Sequence, residues 1–368
     1  MKNYKLKILH IVNLDPSHGG PTQVVQQLHL AKNKNYLSKV IDSRKLSLSV
    51  FLFHKRYLRF INKFDIIHVH SFFEIGANRI AKIAQKLSIP VIYTLHGNFN
   101  VWSLNQNSIV KKIYLYFFIE ILKKSTIHFL NSHEREEYKI LYSYKKNFIF
   151  PNSLDVKKIL TKINYKKLPF QGRSLKILFL GRLHKKKGLE IALHSIRKLV
   201  DEKFEDIKFN IYGPTSDDFK KKIDNLIHNL KLTNFVKINP PLFGNSKFQV
   251  LSDHDIFLLP SLDEADSVAI KESLLTETPV IISNKCKFDQ VNNVGGIVCK
   301  TSVEEVSEAI KFFINNPNKL VEMGKNGKNM IINNYDIDKN IYFLNDIYQS
   351  LFLRLNRTYD YDGYNFYE

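Results

Sequence analysis

Glu264 and Glu272, eight residues apart, are the carboxylates best placed for chemistry in this chain. They lie in the segment 260–272 (PSLDEADSVAIKE), which follows the strand-like run 255–259, and a helix is expected to begin near Ser267. A helix that starts at the end of a strand offers unpaired N–H groups and a positive dipole end, which suit a diphosphate. An ionised glutamate inside such a helix accepts two hydrogen bonds from a ribose diol. Without further context, two solvated surface glutamates are the simpler interpretation.

A basic loop, 181–188 (GRLHKKKG), follows the predicted strand 175–180. Arg182 offers a planar fork of donors and Lys187 a point charge, and both could reach a phosphate at the edge of the same sheet. The alternative is a basic loop that is simply solvated.

Two glycine-containing segments in the first half also follow predicted strands. The segment 18–21 (HGGP) contains Gly19 and Gly20, which would let the backbone approach a ligand closely. It lacks the G-x-G-x-x-G spacing, which disfavours a nicotinamide or flavin dehydrogenase. In the segment 94–97 (TLHG), His96 stands at a strand end, although a lone histidine is more often structural.

The elements that position these residues alternate between β and α in both halves. Parallel sheets covered on both faces are expected from such a pattern, and its repetition predicts two doubly wound domains. The expected domains are 1–165, 166–340 and a C-terminal segment 341–368 of helix and polar tail, for which packing on the first domain is one option. The predicted strands are 7–13, 65–70, 90–96, 126–131, 175–180, 208–212, 235–238, 255–259 and 279–283.

Composition indicates a folded two-domain protein of 368 residues with 44% apolar residues. No apolar run reaches the roughly 18 residues of a spanning helix, and the N-terminus lacks the cleavage site of a signal peptide. The two cysteines, Cys286 and Cys299, have no partners at metal-ligand spacing, so no metal site is expected. We therefore expect a cytoplasmic location, with the protein attached peripherally to the inner face of the cytoplasmic membrane.

The positive charge is concentrated in the first half. Residues 1–165 contain 26 Lys and Arg against 9 Asp and Glu, a net charge of +17, whereas residues 166–368 contain 29 against 26, a net +3. Basic and aromatic residues interleave in 50–64 and 109–124, a pattern that suits helices lying on an anionic leaflet. The alternative is a solvated basic face over a packed stripe. The candidate membrane-docking residues are Lys55, Arg56, Arg59, Lys63, Lys111 and Lys112.

Taken together, the motifs make the chain resemble glycosyltransferase family 4, which has the GT-B architecture of two Rossmann-like domains facing each other across a cleft. Six motifs occur in the family's order over residues 7–335, and context therefore favours a functional interpretation of the two glutamates. The matching motifs are Gly19-Gly20, Asp65-x-x-His68-x-His70, Thr94-Leu95-His96-Gly97, Pro151-Asn152-Ser153-Leu154-Asp155, Gly181-Arg182-Leu183 with Lys187-Gly188, and Pro260-Ser261…Glu264…Glu272 with Thr278-Pro279-Val280.

The resemblance implies a retaining, metal-independent transferase that takes its sugar from a nucleotide-diphosphate sugar and needs no cofactor. The acceptor would be lipid-linked or an oligosaccharide, in surface polysaccharide or lipopolysaccharide synthesis. The implied catalytic residues are Glu264 and His96. The implied donor-binding residues are Gly19, Gly20, Arg182, Lys187, Asp266, Ser267, Val268 and Glu272.

The sequence departs from the family pattern where glycine usually follows the first glutamate. Ala265 and Ser267 occupy those positions, and a non-glycine residue at positive φ is costly, so a different loop path is expected. Two other functions stay open: a soluble transferase acting on a small acceptor, and a basic nucleic-acid-binding protein. No recognised nucleic-acid motif is present, so nucleic acid is not expected as a partner.

Overall fold

The computed structural model describes residues 4–15, 20–32, 34–46, 54–105, 108–141, 146–163, 173–242 and 244–354. The chain divides into two compact units, Met1–Asp155 with Asp336–Glu368, and Val156–Tyr335. Gly19 and the polar tail 356–368 lie outside the described residues. Across the described ranges, no helix is both long enough and apolar enough to cross a bilayer.

The first unit is built around a six-stranded sheet in which every described strand pairing is parallel. The strand order is β2-β1-β3-β4-β5-β6. The strands are β1 (Leu6–Val12), β2 (Tyr36–Asp42), β3 (Ile66–Val69), β4 (Val91–Thr94), β5 (Thr126–Phe129) and β6 (Asn147–Ile149). The helices before the unit boundary are α1 (Gly20–Leu30), α2 (His54–Ile61), α3 (Ile75–Lys86), α4 (Val101–Asn105), α5 (Ser108–Lys123) and α6 (Ser132–Leu141).

The second unit repeats this plan with a parallel sheet of order β12-β11-β10-β7-β8-β9. Its strands are β7 (Leu175–Leu180), β8 (Ile207–Tyr212), β9 (Val236–Asn239), β10 (Ile256–Leu259), β11 (Val280–Ser283) and β12 (Gly296–Cys299). Its helices are α7 (Val156–Leu160), α8 (Leu189–Asp201), α9 (Asp217–Asn229), α10 (Ser246–Asp253), α11 (Val268–Leu275), α12 (Val303–Asn315) and α13 (Pro317–Asn334).

Apolar strands buried on both faces explain the sheets. All four residues of β3, β4, β5, β10 and β11 are buried, as expected for strands covered by helices on both sides. Two six-stranded parallel sheets confirm the expected pair of doubly wound α/β domains.

The last helix, α14 (Ile337–Phe352), belongs to the first unit although it follows the second in the chain. The Ile337 N–H donates to the Leu154 carbonyl at 2.8 Å. The Asn340 amide donates to the Ser153 hydroxyl at 3.0 Å, so Ser153 helps to hold α14 on the first unit. The chain thus crosses between units at 155/156 and 335/336.

Candidate active site

Two loops of the second unit interlock at the carboxyl ends of the neighbouring strands β7 and β10. Gly188 has φ +70°, and a Cβ built there would lie 1.8 Å from the Pro260 carbonyl oxygen. Only glycine permits this approach. The Leu262 N–H donates to the Lys186 carbonyl at 2.7 Å, and the Ser261 Oγ lies 2.9 Å from the same carbonyl oxygen. The predicted basic loop and the predicted glutamate loop are therefore one structural element.

Glu264 lies in this element, and its buried carboxylate is paired through one oxygen, Oε1. The Lys187 Nζ is 2.6 Å from its Oε1, and the Ser261 hydroxyl donates to the same oxygen at 2.8 Å. Burial alone would raise the pKa of Glu264, but the charges of Lys187 and Lys186 and the two hydrogen bonds hold the pKa below its usual value. The carboxylate is therefore ionised at neutral pH and fixed in direction. Sequence motifs identified both partners of this pair.

Glu272 is inside α11 and only 2% exposed. Its Oε1 lies 2.6 Å from the Nζ of Lys247, which is at the start of α10. A buried carboxylate needs such a partner to remain charged. Sequence reasoning missed Lys247 because no motif distinguishes it from the many solvated lysines of this chain.

The loop before α11 follows an ordinary backbone path. Neither Ala265 nor Ser267 has a positive φ, and Ser267 stands at the N-cap position of the helix with φ −78° and ψ 114°, without a side-chain capping hydrogen bond. The substituted glycines therefore introduce no backbone strain here. Val268 begins α11, so the N–H groups of this turn point away from the helix at its positive end.

Asp266 is held by a second lysine that sequence reasoning missed. The Nζ of Lys271 lies 2.6 Å from its Oδ1, and the Lys271 side chain is 1% exposed. The same Nζ is 4.2 Å from the centre of the Tyr335 ring, a cation–π contact. Burial lowers the pKa of Lys271, and the Asp266 carboxylate opposes that change. This buried pair ties the loop to the helix that it precedes.

Positive charge is in excess around these loops. Asp263 is contacted by both Lys186, at 2.6 Å, and Lys287, at 3.2 Å. Arg182 is exposed, and within the described parts of the chain it forms no ion pair. An exposed guanidinium without a carboxylate partner is a group that can bind a diphosphate.

His96 and Gly20, the other predicted residues, lie in the first unit. Gly20 begins α1, and a Cβ built there would meet no atom within 4 Å. His96 follows β4 in the left-handed region at φ +48°, next to Gly97 at φ +74°. The Glu134 carboxylate fixes this turn by accepting the Gly97 N–H at 2.7 Å. Burial and the proximity of His128 lower the pKa of His96 to about 3, so it is a neutral hydrogen-bonding group at physiological pH.

Behind His96 lies a buried histidine network that sequence reasoning found only in part. The Thr94 hydroxyl is 2.7 Å from both His68 Nε2 and His128 Nδ1, and His10 Nδ1 is 3.0 Å from His70 Nε2. Ring nitrogens of His10, His68 and His70 lie within 4.8 Å of one another, a spacing that metal ligands also have. Both nitrogens of His68 are engaged, by Thr94 and by the Tyr348 hydroxyl at 2.8 Å. A cavity of about 10 Å³, room for about one water molecule, borders the network.

The six candidate membrane-docking residues divide between two helical regions with different surroundings. On and just after α2, the basic side chains are exposed while the apolar face packs on the core through Tyr57, Leu58 and Phe60. On α5, Lys112 is exposed, whereas Lys111 donates to the Ser103 carbonyl. The exposed basic residues on and just after α2 are Lys55, Arg56, Arg59 and Lys63.

Comparison with known proteins agrees with this architecture. Residues 16–158 match the family described as Glycosyltransferase Family 4, and residues 161–330 match Glycosyl transferases group 1. An Escherichia coli UDP-Gal:alpha-D-GlcNAc-diphosphoundecaprenol alpha-1,3-galactosyltransferase is 28% identical over 307 residues, covering 78% of this chain and 75% of that protein. An uncharacterized 41.2 kDa protein in the cps region of Klebsiella pneumoniae is 27% identical over 273 residues, 72% of each chain.

Among solved structures, Anabaena HepE in complex with UDP and glucose superposes with a TM-score of 0.75. The superposition covers 94% of this chain and 100% of that one at 14% identity, which establishes likeness of fold. The chain therefore belongs to the glycosyltransferases, with a family 4 domain in its first half, a group 1 domain in its second, and the two parallel α/β units of the GT-B fold.

Proposed function

We propose that this glycosyltransferase moves a sugar from a UDP-sugar to a lipid-linked glycan acceptor, with retention of anomeric configuration and without a metal ion. The reaction serves bacterial surface polysaccharide or lipopolysaccharide assembly at the inner face of the cytoplasmic membrane. The observation that carries the proposal is the pair of interlocked loops at the end of the second sheet, which pairs Lys187 with Glu264 on the same loop that carries Arg182.

The relatives support the choice of substrates. The E. coli relative is named for a UDP-galactose donor and a diphosphoundecaprenol-linked acceptor, and HepE was solved with UDP and glucose. The relative from a cps region points to the same kind of pathway. A soluble acceptor is the alternative, and the experiment below separates the two.

In the proposed site, Arg182 and Lys187 bind the donor diphosphate, and the N–H groups of Asp266, Ser267 and Val268 surround its oxygens. Glu272 accepts hydrogen bonds from the ribose hydroxyls, which are donors that an ionised carboxylate can use.

The chemical step breaks the bond between the sugar C1 and the β-phosphate oxygen, while the acceptor hydroxyl oxygen bonds to C1 from the same face. The hydroxyl proton passes to the departing diphosphate. Negative charge grows on that diphosphate in the transition state, where fixed cations are most effective. Lys187 exchanges part of its contact with Glu264 for the phosphate, which frees the carboxylate to hold the sugar near C1.

The first test is a thermal-shift panel of UDP, GDP, ADP, CMP and dTDP, each with EDTA. Stabilisation by UDP despite EDTA is the expected result, and a ligand at about 100 times its dissociation constant adds about 2.7 kcal/mol. Incubation with UDP-galactose or UDP-glucose and GlcNAc diphosphoundecaprenol should then give a product whose anomeric proton coupling matches that of the donor. No response to UDP, a requirement for added metal, or the inverted anomer would contradict the corresponding part of the proposal. Efficient transfer to a soluble GlcNAc glycoside, with none to the lipid-linked form, would favour the alternative.

A further inference from the structure

Helix α5 exposes an apolar face of a kind that no other described element of the first unit has. Large apolar side chains elsewhere on that unit are exposed singly, as is common for soluble proteins. On α5 five of them stand within nine residues of one helix. Their exposed fractions are Ile109 73%, Val110 68%, Ile113 56%, Tyr116 81% and Phe117 67%.

Helical spacing places these five residues on one side. Positions 109, 113, 116 and 117 recur at intervals of three and four, and 110 flanks them, so they form one stripe about 12 Å long at 1.5 Å per residue. A stripe of this length lies along a surface and is too short to cross a bilayer.

The opposite side of α5 is anchored to the core, so the exposed stripe has a fixed orientation. Leu122 is fully buried, and Tyr114 and Phe118 pack against the core cluster. The Tyr114 hydroxyl donates to the Phe72 carbonyl at 3.1 Å and accepts from the Asn78 amide at 2.8 Å.

The charged residues that border this face indicate what binds to it. Lys112 is exposed beside the stripe, and Lys123 and Lys124 are exposed at the end of the helix. The acidic residue of the helix, Glu120, is paired with Lys123 at 2.8 Å. An apolar stripe bordered by lysines, on a half of the chain with a net charge of +17, complements an anionic lipid leaflet.

We propose that α5 inserts its apolar stripe into the boundary between headgroups and acyl chains of an anionic membrane leaflet, while α2 contributes only electrostatic attraction. The assignment rests on the proposed function, because a lipid-linked acceptor requires the enzyme to work at a membrane. It also revises the sequence-based expectation, which treated both basic segments alike: the apolar residues of α2 are packed inward, and those of α5 face outward.

Co-sedimentation with vesicles of 30% phosphatidylglycerol at about 0.15 M salt tests the surface. Ile113→Ser/Phe117→Ser should lower the partition coefficient at least tenfold. The matched control, Leu30→Ser/Leu37→Ser, removes two comparably exposed side chains elsewhere on the same unit, 62% and 54% exposed, and should leave binding unchanged. Equal binding by the stripe variant and the wild type would overturn the proposal.

The depth that the α5 stripe reaches in the bilayer distinguishes insertion from adsorption at the surface. The chain contains one tryptophan, Trp102, so Phe117→Trp in a Trp102→Phe background gives a single reporter in the stripe. Its emission should shift to the blue on anionic vesicles and be quenched by acyl chains brominated near the headgroup. Binding without quenching would mean adsorption only and would refute insertion.

The failure of this inference and that of the proposed function are distinguishable. If UDP stabilises the protein and a soluble acceptor is glycosylated, but no vesicle binding occurs, the enzyme assignment stands and the docking surface is wrong. A dimer in solution that Ile113→Ser/Phe117→Ser dissociates, without vesicle binding, would assign the stripe to a second copy of the chain. Vesicle binding through the stripe without any sugar transfer would support docking and remove the proposed function.

Discussion

Replacing Lys187 by methionine separates the structural role of the Lys187–Glu264 pair from its role in transfer. The methionine keeps much of the side-chain volume but leaves a buried carboxylate with the Ser261 hydroxyl and the nearby charge of Lys186. Breaking one partner of a buried ion pair costs about 3–5 kcal/mol. The two side chains are 20% and 10% exposed, so the pair is not completely desolvated and we expect about 2–3 kcal/mol.

The sugar-transfer activity of Lys187→Met should also fall, for a reason that is separate from the loss of stability. Removing one preorganised donor to the charge that develops in a transition state costs about 10²–10³ in kcat. The double variant Lys187→Met/Glu264→Gln removes the uncompensated charge, so it should recover most of the lost stability and none of the activity. A stability effect alone would instead restore both.

Hydrogen exchange read by mass spectrometry on peptides of β7 and β10 measures the stability of the second unit, and sugar release from the donor measures activity. The matched control is Lys220→Met, because Lys220 pairs with Asp224 at 2.8 Å in the same unit but both side chains are about half exposed. An exposed pair is worth about 0.2–1 kcal/mol, so this control should be nearly neutral. If the double variant were as unstable as the single one, or if Lys187→Met kept full activity, the reasoning would be refuted.

Two further predictions concern the backbone and the buried histidines. Gly188→Ala should destabilise the second unit by several kcal/mol and abolish sugar transfer, because the new Cβ would lie 1.8 Å from the Pro260 carbonyl oxygen. The control Gly181→Ala adds a Cβ with no atom within 4 Å, so its thermal unfolding should be close to that of the wild type. Acid should destabilise the first unit: burial lowers the pKa of His10 and His96 to about 3 and of His128 to about 4, so below pH 6.5 the unfolded state binds protons that the folded state does not. Each such histidine lowers the free energy of unfolding by roughly 1.4 kcal/mol per pH unit as the pH falls from about 6.5 to 4. Hydrogen exchange of peptides from β1 and β5 measures this free energy, and a value that does not change with pH would contradict the prediction.

Most of the two sheets could be predicted from the sequence, and the missed strands have a common cause. The expected runs correspond to nine of the observed strands, whereas β2, β6 and β12 were not predicted. All three lie at sheet edges, where one side of the strand has no neighbour to pair with, and of the four edge strands that the structure describes β9 alone was predicted. In β2 only Tyr36 and Asp42 are buried, so the continuous apolar run that marks a central parallel strand does not appear.

The site could be predicted where motifs follow strands, and not where one side chain meets another from a distant element. The positions of Glu264 and Lys187 at strand ends follow from the alternation of strands and helices. The lysines that neutralise the other carboxylates, Lys247 and Lys271, come from within helices where lysine is ordinarily solvated. Only the tertiary structure brings them within 2.6 Å of an acid.

The pairing of these charges bears on how the site accepts a diphosphate. Each of the four acids at the loops and on α11 has its own lysine, Asp263 has two, and Arg182 has no acidic partner among the described residues. Lys185 of the same loop is exposed as well, so basic groups outnumber acidic ones here, and a diphosphate diester carries two negative charges. A donor that enters the proposed site offsets part of this excess without breaking the pairs that hold Glu272 and Asp266. Replacing Arg182 should then weaken diphosphate binding while leaving those two acids in place, because their own lysines remain.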